Sequence, residues 1–272
     1  MKCFTVSPRE GSAAYFELYI HEDSYDGDRL KKRPFVIICP GGGYAFCGDR
    51  DSEPIALAFA GERFNAGVLR YTCRPTENDS PVGDAAILDV LAAIRYVREH
   101  ADEWNTDADK IILEGDSAGG HAAAMAAVYW NDRSFFPQAG ELYRPNAMIL
   151  GYPVISAKQY GHRWSVANLV GTPDYGADAE ERYSAELHIT KDVCPAFIWH
   201  SVGDTTVPVE NSILLAQAMQ EQKLPYELHL FASGWHGLSL GTGEVGGVEP
   251  HAAQWFPLAV DWLKVIGLRP LD

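Results

Sequence analysis

The stretch that most constrains how this chain can fold is residues 110–128, where a strand pattern gives way to a helix pattern at a single serine. Lys110-Ile111-Ile112-Leu113-Glu114 is a short β-branched run that reads as a buried strand. Ala122-Ala123-Ala124-Met125-Ala126-Ala127-Val128 has mostly high helix propensity. Gly115-Asp116-Ser117-Ala118-Gly119-Gly120-His121 joins them, and a strand that turns sharply into a helix with serine at the turn is a nucleophile elbow. Two residues before or after Ser117, a β-carbon would collide with neighbouring backbone, which is the steric reason for Gly115 and Gly119. The Gly-x-Ser-x-Gly pattern alone is weak, because a turn serine can carry it without any chemistry. The strand before and the alanine-rich helix after favour Ser117 as a nucleophile.

The same alternation runs through the rest of the chain. Residues 14–20 read as a strand, and 21–33 as a polar connection with Asp26-Gly27-Asp28 as its turn. Phe35-Val36-Ile37-Ile38-Cys39 is a continuous apolar run suited to a central parallel strand. It leads straight into Pro40-Gly41-Gly42-Gly43-Tyr44, whose glycines leave backbone N–H groups uncovered for a ligand oxygen. A flexible loop is the plain alternative; the place directly after a central strand favours an oxyanion hole.

A helix is expected over residues 52–65 with Pro54 in its first turn, then a strand at Val68-Leu69-Arg70-Tyr71. After Asn78-Asp79-Ser80-Pro81, the stripe Ile87, Leu91, Ile94 and Val97 marks a core-facing helix. Further strands are expected at residues 147–152, 195–200 and 226–231. A final helix carries Trp255, Leu258, Ala259, Trp262, Leu263 and Ile266 on one face, with Pro257 either beginning or kinking it. Strands alternating with helices give an α/β fold with a doubly wound, mostly parallel sheet. Residues 156–194 break the periodicity with Gly161, Gly171, Pro173 and Gly176. So long an irregular insert is expected to be functional, here as a small cap over the carboxyl edge of the sheet. The whole of 1–272 is expected to form one domain.

Composition narrows the partners. With 22 basic against 37 acidic residues the net charge is −15, which argues against nucleic acid or an anionic membrane surface. Cys3, Cys39, Cys47, Cys73 and Cys194 are an odd set without a Cys-x-x-Cys pair, so free thiols in a reducing cytoplasm and no metal site are expected. The opening residues lack the apolar core of a secretory signal, and no apolar run reaches membrane-spanning length.

Three polar residues fall at equivalent places: Ser117 follows one strand, Asp204 a later one, and His236 the last. In a parallel sheet all three sit at the carboxyl edge, where open α/β folds bind ligands. A serine hydroxyl needs a base to take its proton. A neutral imidazole can take it and later return it to a leaving group. A buried carboxylate fixes the imidazole's tautomer and stabilises its charged form. The order Ser, Asp, His is that of the α/β-hydrolase fold.

Several residues compete for these roles. Asp192, which precedes its strand, and Glu210, on the following helix, are rivals to Asp204. His200, His229 and His251 are rivals to His236, the first two being written into strands. His121 reads as a packed helix residue and Asp116 as a brace for the elbow. Trp199 and Trp235 can be read as pocket walls or as ordinary core. Tyr44 and Trp235, beside the glycine loop and beside His236, are expected to limit the acyl pocket to two to four carbons.

The combination of Pro40-Gly41-Gly42-Gly43-Tyr44, the 115–121 elbow, Trp199-His200 through Asp204 to Val207-Pro208-Val209-Glu210-Asn211-Ser212, and Trp235-His236-Gly237 resembles bacterial α/β-hydrolase esterases. More narrowly it is similar to acetyl esterases and xylan esterases, over residues 35–265. Wider lipase and esterase families usually carry histidine where this chain has Pro40, whereas acetyl esterases often carry proline. The resemblance implies oxyanion-hole N–H groups from Gly42, Gly43 and Ala118. It also implies hydrolysis of short acyl esters, acetyl above all, of a sugar or similar alcohol, through an acyl-enzyme on Ser117 and without a cofactor. The expected partner is a small-molecule ester, extending to an acetylated oligosaccharide, and a homo-oligomer stays open. An arylformamidase-type amidase shares fold and order and is the alternative; a non-enzymatic binding protein fits poorly, since all three candidate residues are present.

Overall fold

A computed structural model of the chain describes residues 1–22, 32–243 and 247–269. The expected Asp26-Gly27-Asp28 turn lies outside the described residues. Eight strands form one sheet: β1 Lys2–Val6, β2 Tyr15–Ile20, β3 Arg33–Cys39, β4 Asn65–Arg70, β5 Thr106–Asp116, β6 Ala147–Gly151, β7 Ala196–Ser201 and β8 Tyr226–Phe231. Their order is β1-β2-β4-β3-β5-β6-β7-β8. The pairings of β1 with β2 and β2 with β4 are antiparallel, and the five from β4 to β8 are parallel. This is the expected doubly wound, mostly parallel sheet, with an antiparallel edge added.

Alternation along the strands sorts two cores. Ile37, Leu113, Leu150 and Ile198 pack on one face with α2 (Ala85–Glu99) and α3 (Ala118–Tyr129). Val36, Ile38, Ile112, Ile149 and Phe197 pack on the other with α1 (Glu53–Gly61) and α7 (Trp255–Val265). Every residue of α3 is buried, which is why its sequence is small and apolar all round and shows no stripe.

Several boundaries differ from expectation. The helix expected over 52–65 stops at Gly61, because residues 65–70 are already β4, paired with both β2 and β3. Pro257 lies in the first turn of α7, where its missing N–H costs nothing, so it begins the helix. The edge strand β1 escaped notice because Lys2–Val6 is almost wholly exposed and has no buried face to pattern it.

The insert at 156–194 is more regular than its sequence implies. It contains α4 (Arg163–Val170), α5 (Ala177–Arg182) and a 3₁₀ turn at Ala185–His188. Helices of eight and six residues are too short to display a period, and they depend on packing instead. Val166 and Leu169 supply it for α4, joined by buried Ser165 and Asn168. Among the described residues, no helix is long and apolar enough to cross a membrane.

Candidate active site

β5 runs to Asp116 and α3 begins at Ala118, so Ser117 alone makes the turn between them. Its φ of 55° and ψ of −119° are rare for a residue with a side chain. The surroundings hold that conformation. The Ser117 N–H donates to Gly151 O at 3.0 Å, and its carbonyl accepts from the N–H groups of His121 (3.1 Å) and Val154 (3.0 Å). A β-carbon at Gly119 would lie 1.9 Å from the Cys39 carbonyl oxygen, and one at Gly115 2.6 Å from that of Gly119. The steric need for glycine on both sides is therefore real.

The structure brings Ser117, His236 and Asp204 together. Ser117 Oγ is 2.8 Å from His236 Nε2, and His236 Nδ1 is 2.6 Å from Asp204 Oδ2. With Nδ1–H donating to a carboxylate, Nε2 is left as the acceptor for the serine hydroxyl. The other oxygen, Asp204 Oδ1, accepts from the N–H groups of Thr206 (2.8 Å) and Val207 (3.0 Å). Burial pushes this carboxyl up, but hydrogen bonds from His200 and His236, the charge of His236 and the Val207 N–H outweigh it. The net result holds Asp204 well below the ordinary carboxylate range.

None of the rivals reaches the serine. Asp192 is exposed, accepts from Asn131 Nδ2 at 2.8 Å, and borders a separate hollow with Tyr129 and His188. Glu210 begins α6 (Glu210–Glu221). His229 pairs with Glu227 at 2.7 Å, and His251 is edge-on to Phe231. His121 is the packed helix residue that was expected: it takes the Tyr44 hydroxyl on Nδ1 at 2.7 Å and gives Nε2–H to Tyr183 O at 2.8 Å. Sequence reasoning missed the contact of His200, whose Nε2 lies 3.3 Å from Asp204 Oδ2.

Every carbonyl of the glycine loop is taken up by a hydrogen bond. Pro40 O accepts from Tyr71 Oη (2.6 Å), Gly41 O from the Gly48 N–H (2.8 Å) and Gly42 O from the Ala45 N–H (3.0 Å). Gly43 O accepts from Asn168 Nδ2 (2.9 Å) and Tyr44 O from the Arg74 N–H (2.7 Å). Among the described residues, no hydrogen bond uses the N–H of Gly42 or Gly43. Ala118, as the first residue of α3, has an N–H with no partner inside the helix.

A cavity of about 190 Å³ opens on these groups, lined by Gly41, Gly42, Gly43 and Ser117 with Phe46, Trp164 and His236 among others. Two expectations about its walls fail. Tyr44 is fully buried against His121 and Tyr71, and Trp235 packs over Gly247, so neither lines the cavity. Trp199 is core, stacked on Trp255. The walls are Phe46, 57% exposed; Trp164, 51% exposed; and Tyr152, edge-on to His236. Trp164 and His162 come from the insert, so it forms part of the site.

Beneath lies a buried acidic group. Glu114 and Asp116 are fully buried, and none of their carboxyl oxygens has a hydrogen-bond partner among the described residues. Burial, and then the neighbouring charges of Asp116 and Asp51, raise the Glu114 carboxyl well above its ordinary range; burial and then Asp51 do the same for Asp116.

A family model described as BD-FAE matches residues 23–219. The chain is 35% identical over 229 residues to endo-1,4-beta-xylanase B of Butyrivibrio fibrisolvens, covering 83% of this chain and 35% of that protein. It is 29% identical over 212 residues to an acetylxylan esterase of Xylanibacter ruminicola, covering 76% of this chain and 41% of that one. The chain thus spans about a third to two fifths of the length of these curated relatives, 35% and 41%. Among solved structures, a carboxylesterase from Lactobacillus plantarum superposes with a TM-score of 0.88 at 28% identity, covering 100% of both chains. An acetyl ester-xyloside bifunctional hydrolase from Caldicellulosiruptor lactoaceticus superposes with a TM-score of 0.81 at 30% identity, covering 97% of this chain and 92% of that one.

Proposed function

The chain belongs to the BD-FAE family and has the α/β-hydrolase fold, and on that premise we propose that it is a carboxylic-ester hydrolase that removes short acyl groups, acetyl above all, through an acyl-enzyme on Ser117. The observation that carries this reading is the line from Ser117 Oγ to His236 Nε2 (2.8 Å) and from His236 Nδ1 to Asp204 Oδ2 (2.6 Å), beside the unspent N–H groups of Gly42 and Gly43.

In the proposed reaction Ser117 Oγ attacks the ester carbonyl carbon while His236 Nε2 takes the hydroxyl proton. The carbonyl oxygen becomes an oxyanion, held by the N–H groups of Gly42, Gly43 and Ala118. Collapse breaks the bond to the alcohol oxygen, which leaves with the proton from His236. Water then attacks the acyl-enzyme with His236 again as base, releasing the acid and restoring Ser117. Asp204 stays ionised throughout and stabilises the imidazolium.

The cavity of about 190 Å³ is smaller than the roughly 300–1,000 Å³ of ordinary ligand pockets, so it suits an acyl group rather than a whole substrate. The alcohol part then lies outside, toward the exposed rings of Phe46 and Trp164. A sugar alcohol fits that rim, and the acetylxylan and xyloside named for the relatives support it. The proposal treats 1–272 as one domain with 156–194 as the cap. A cytoplasmic location belongs to the same proposal and rests on the cysteine pattern. Initial rates on p-nitrophenyl esters of increasing chain length, followed by acetylated xylo-oligosaccharides, test the reading. Acetate and the acetylated sugar should be turned over, and activity on neither would end it.

A further inference from the structure

Helix α4 is fixed to the body of the protein on one side and to the glycine loop on the other. On the first side, the carbonyls of Asn168 and Leu169 accept the N–H groups of Val82 (3.1 Å) and Gly83 (2.8 Å), directly ahead of α2. Just past the helix, Gly171 packs so closely on Pro81 that a β-carbon would lie 2.4 Å from its ring. On the second side, Trp164 and Asn168, one turn apart on the same helix face, meet a single residue. The indole covers Gly43, where a β-carbon would lie 2.1 Å from Trp164 Cζ3. Asn168 Nδ2 donates to Gly43 O at 2.9 Å.

We propose that Asn168 is a positioning residue for the oxyanion hole, acting through the Gly43 carbonyl, an inference that rests on the function proposed above. Gly43 has φ 62° and is followed by Tyr44 at φ 63°, so two consecutive residues occupy the left-handed region. Glycine has little torsional preference of its own, and Tyr44 is held there against its preference. The direction of the Gly43 N–H is therefore set by what holds the peptide groups on either side. The preceding carbonyl, Gly42 O, is closed within the loop by the Ala45 N–H. The following one, Gly43 O, is closed by the Asn168 side chain, 125 residues away. Asn168 is 9% exposed, so water is a poor substitute for its amide. Without that donor the Gly43–Tyr44 peptide can turn. Gly43 offers little resistance to a change in φ or ψ, so the shift passes through its α-carbon to the Gly42–Gly43 peptide and tilts the Gly43 N–H off the developing oxyanion, while Ser117, His236 and the cavity walls stay in place. The insert thereby takes part in catalysis without touching the reacting atoms.

The test compares Asn168→Ala with wild type for kcat and KM on p-nitrophenyl acetate, and for inhibition by an arylboronic acid. The tetrahedral boronate adduct on Ser117 places an oxygen where the oxyanion forms. Removing an oxyanion donor outright costs about 10²–10³ in kcat, and misaligning one should cost less. Expected are a loss of about 10- to 100-fold in kcat, KM within about threefold, boronate affinity reduced by a factor like that in kcat, and an unshifted pH profile. If Asn168→Ala does not fold, Asn168→Ser, whose hydroxyl is too short to reach Gly43 O, is read in the same way. Wild-type kcat in a folded variant, or a loss confined to KM, overturns the inference. Such a result leaves the proposed function standing provided Ser117→Ala is inactive; activity in Ser117→Ala would instead remove the function itself.

Discussion

His200 and Asp204 meet in the buried interior beneath the site, with Nε2 of the histidine 3.3 Å from the same Oδ2 that faces His236 Nδ1 at 2.6 Å. His200 Nε2 also faces Val207 O at 3.0 Å, and its Nδ1 faces the Ser212 hydroxyl at 2.8 Å. Two acceptors at Nε2 mean that this nitrogen carries the hydrogen and donates. Asp204 thus accepts from His236 and from two backbone N–H groups, with the His200 Nε2–H, donated to Val207 O, also close to its Oδ2.

Asp204→Asn should therefore lower kcat by about 10³- to 10⁴-fold with little change in KM, by offering His236 the wrong tautomer. His200→Phe removes only one of the contacts, and a loss of about tenfold is expected. Asp192→Asn should be silent, and a large effect there would displace Asp204 as the acid. A second readout is stability. The folded carboxyl of Asp204 lies below its unfolded value of about 3.9, so its contribution is present above that pH and is lost as the pH falls further. Thermal denaturation should find Asp204→Asn less stable at pH 7, by about 1–3 kcal/mol, with the gap to wild type closing below about pH 4.

Glu114 works in the opposite sense. Its folded pKa is raised, so the folded state binds the proton more tightly than the unfolded chain does. Stability is full below the unfolded value of about 4.3 and declines as pH rises toward the folded value. Glu114→Gln removes that decline. The variant should match wild type near pH 4 and exceed it at pH 8, by a Tm gain of about 2–4 °C for each 1 kcal/mol recovered. Differential scanning fluorimetry across that range checks it, and equal Tm at both ends would mean that Glu114 is not held protonated.

Acyl length probes the cavity walls. Each methylene that fits adds about 0.8 kcal/mol of burial, or roughly fourfold in kcat/KM. A cavity of about 190 Å³ should reverse that trend, with acetate near the maximum and a fall beyond butyrate. Trp164→Ala and Phe46→Ala should move the optimum toward longer esters, whereas Trp235→Ala, away from the cavity, should leave it unchanged. Faster hydrolysis of octanoate than acetate by wild type would end the short-acyl reading.

The parts of the site that could be read from the sequence are those set by local backbone. Ser117 stands between a strand and a helix, and the glycines around it answer close contacts with Cys39 and with each other. Asp204 and His236 follow strands whose apolar runs are unmistakable. Side-chain direction was not legible. Tyr44 and Trp235 adjoin the glycine loop and His236 in sequence, but their rings turn into the core and over Gly247. Phe46 and Trp164 reach the cavity instead, the latter from a helix too short to show a period. His200 looked like any strand histidine, because its link to Asp204 depends on the turn between them. Asn168 carried no local signal, since its partner is the carbonyl of a distant glycine.

The most direct test of the account is the hydrolysis of p-nitrophenyl acetate by purified Ser117→Ala beside wild type, at equal folded concentration. Only one hydroxyl is removed, so the Tm should stay within a few degrees. The expected result is a loss of at least about 10³-fold in kcat, as for removal of a nucleophile whose base and acid cannot act without it. Turnover by Ser117→Ala within about tenfold of wild type would contradict the account.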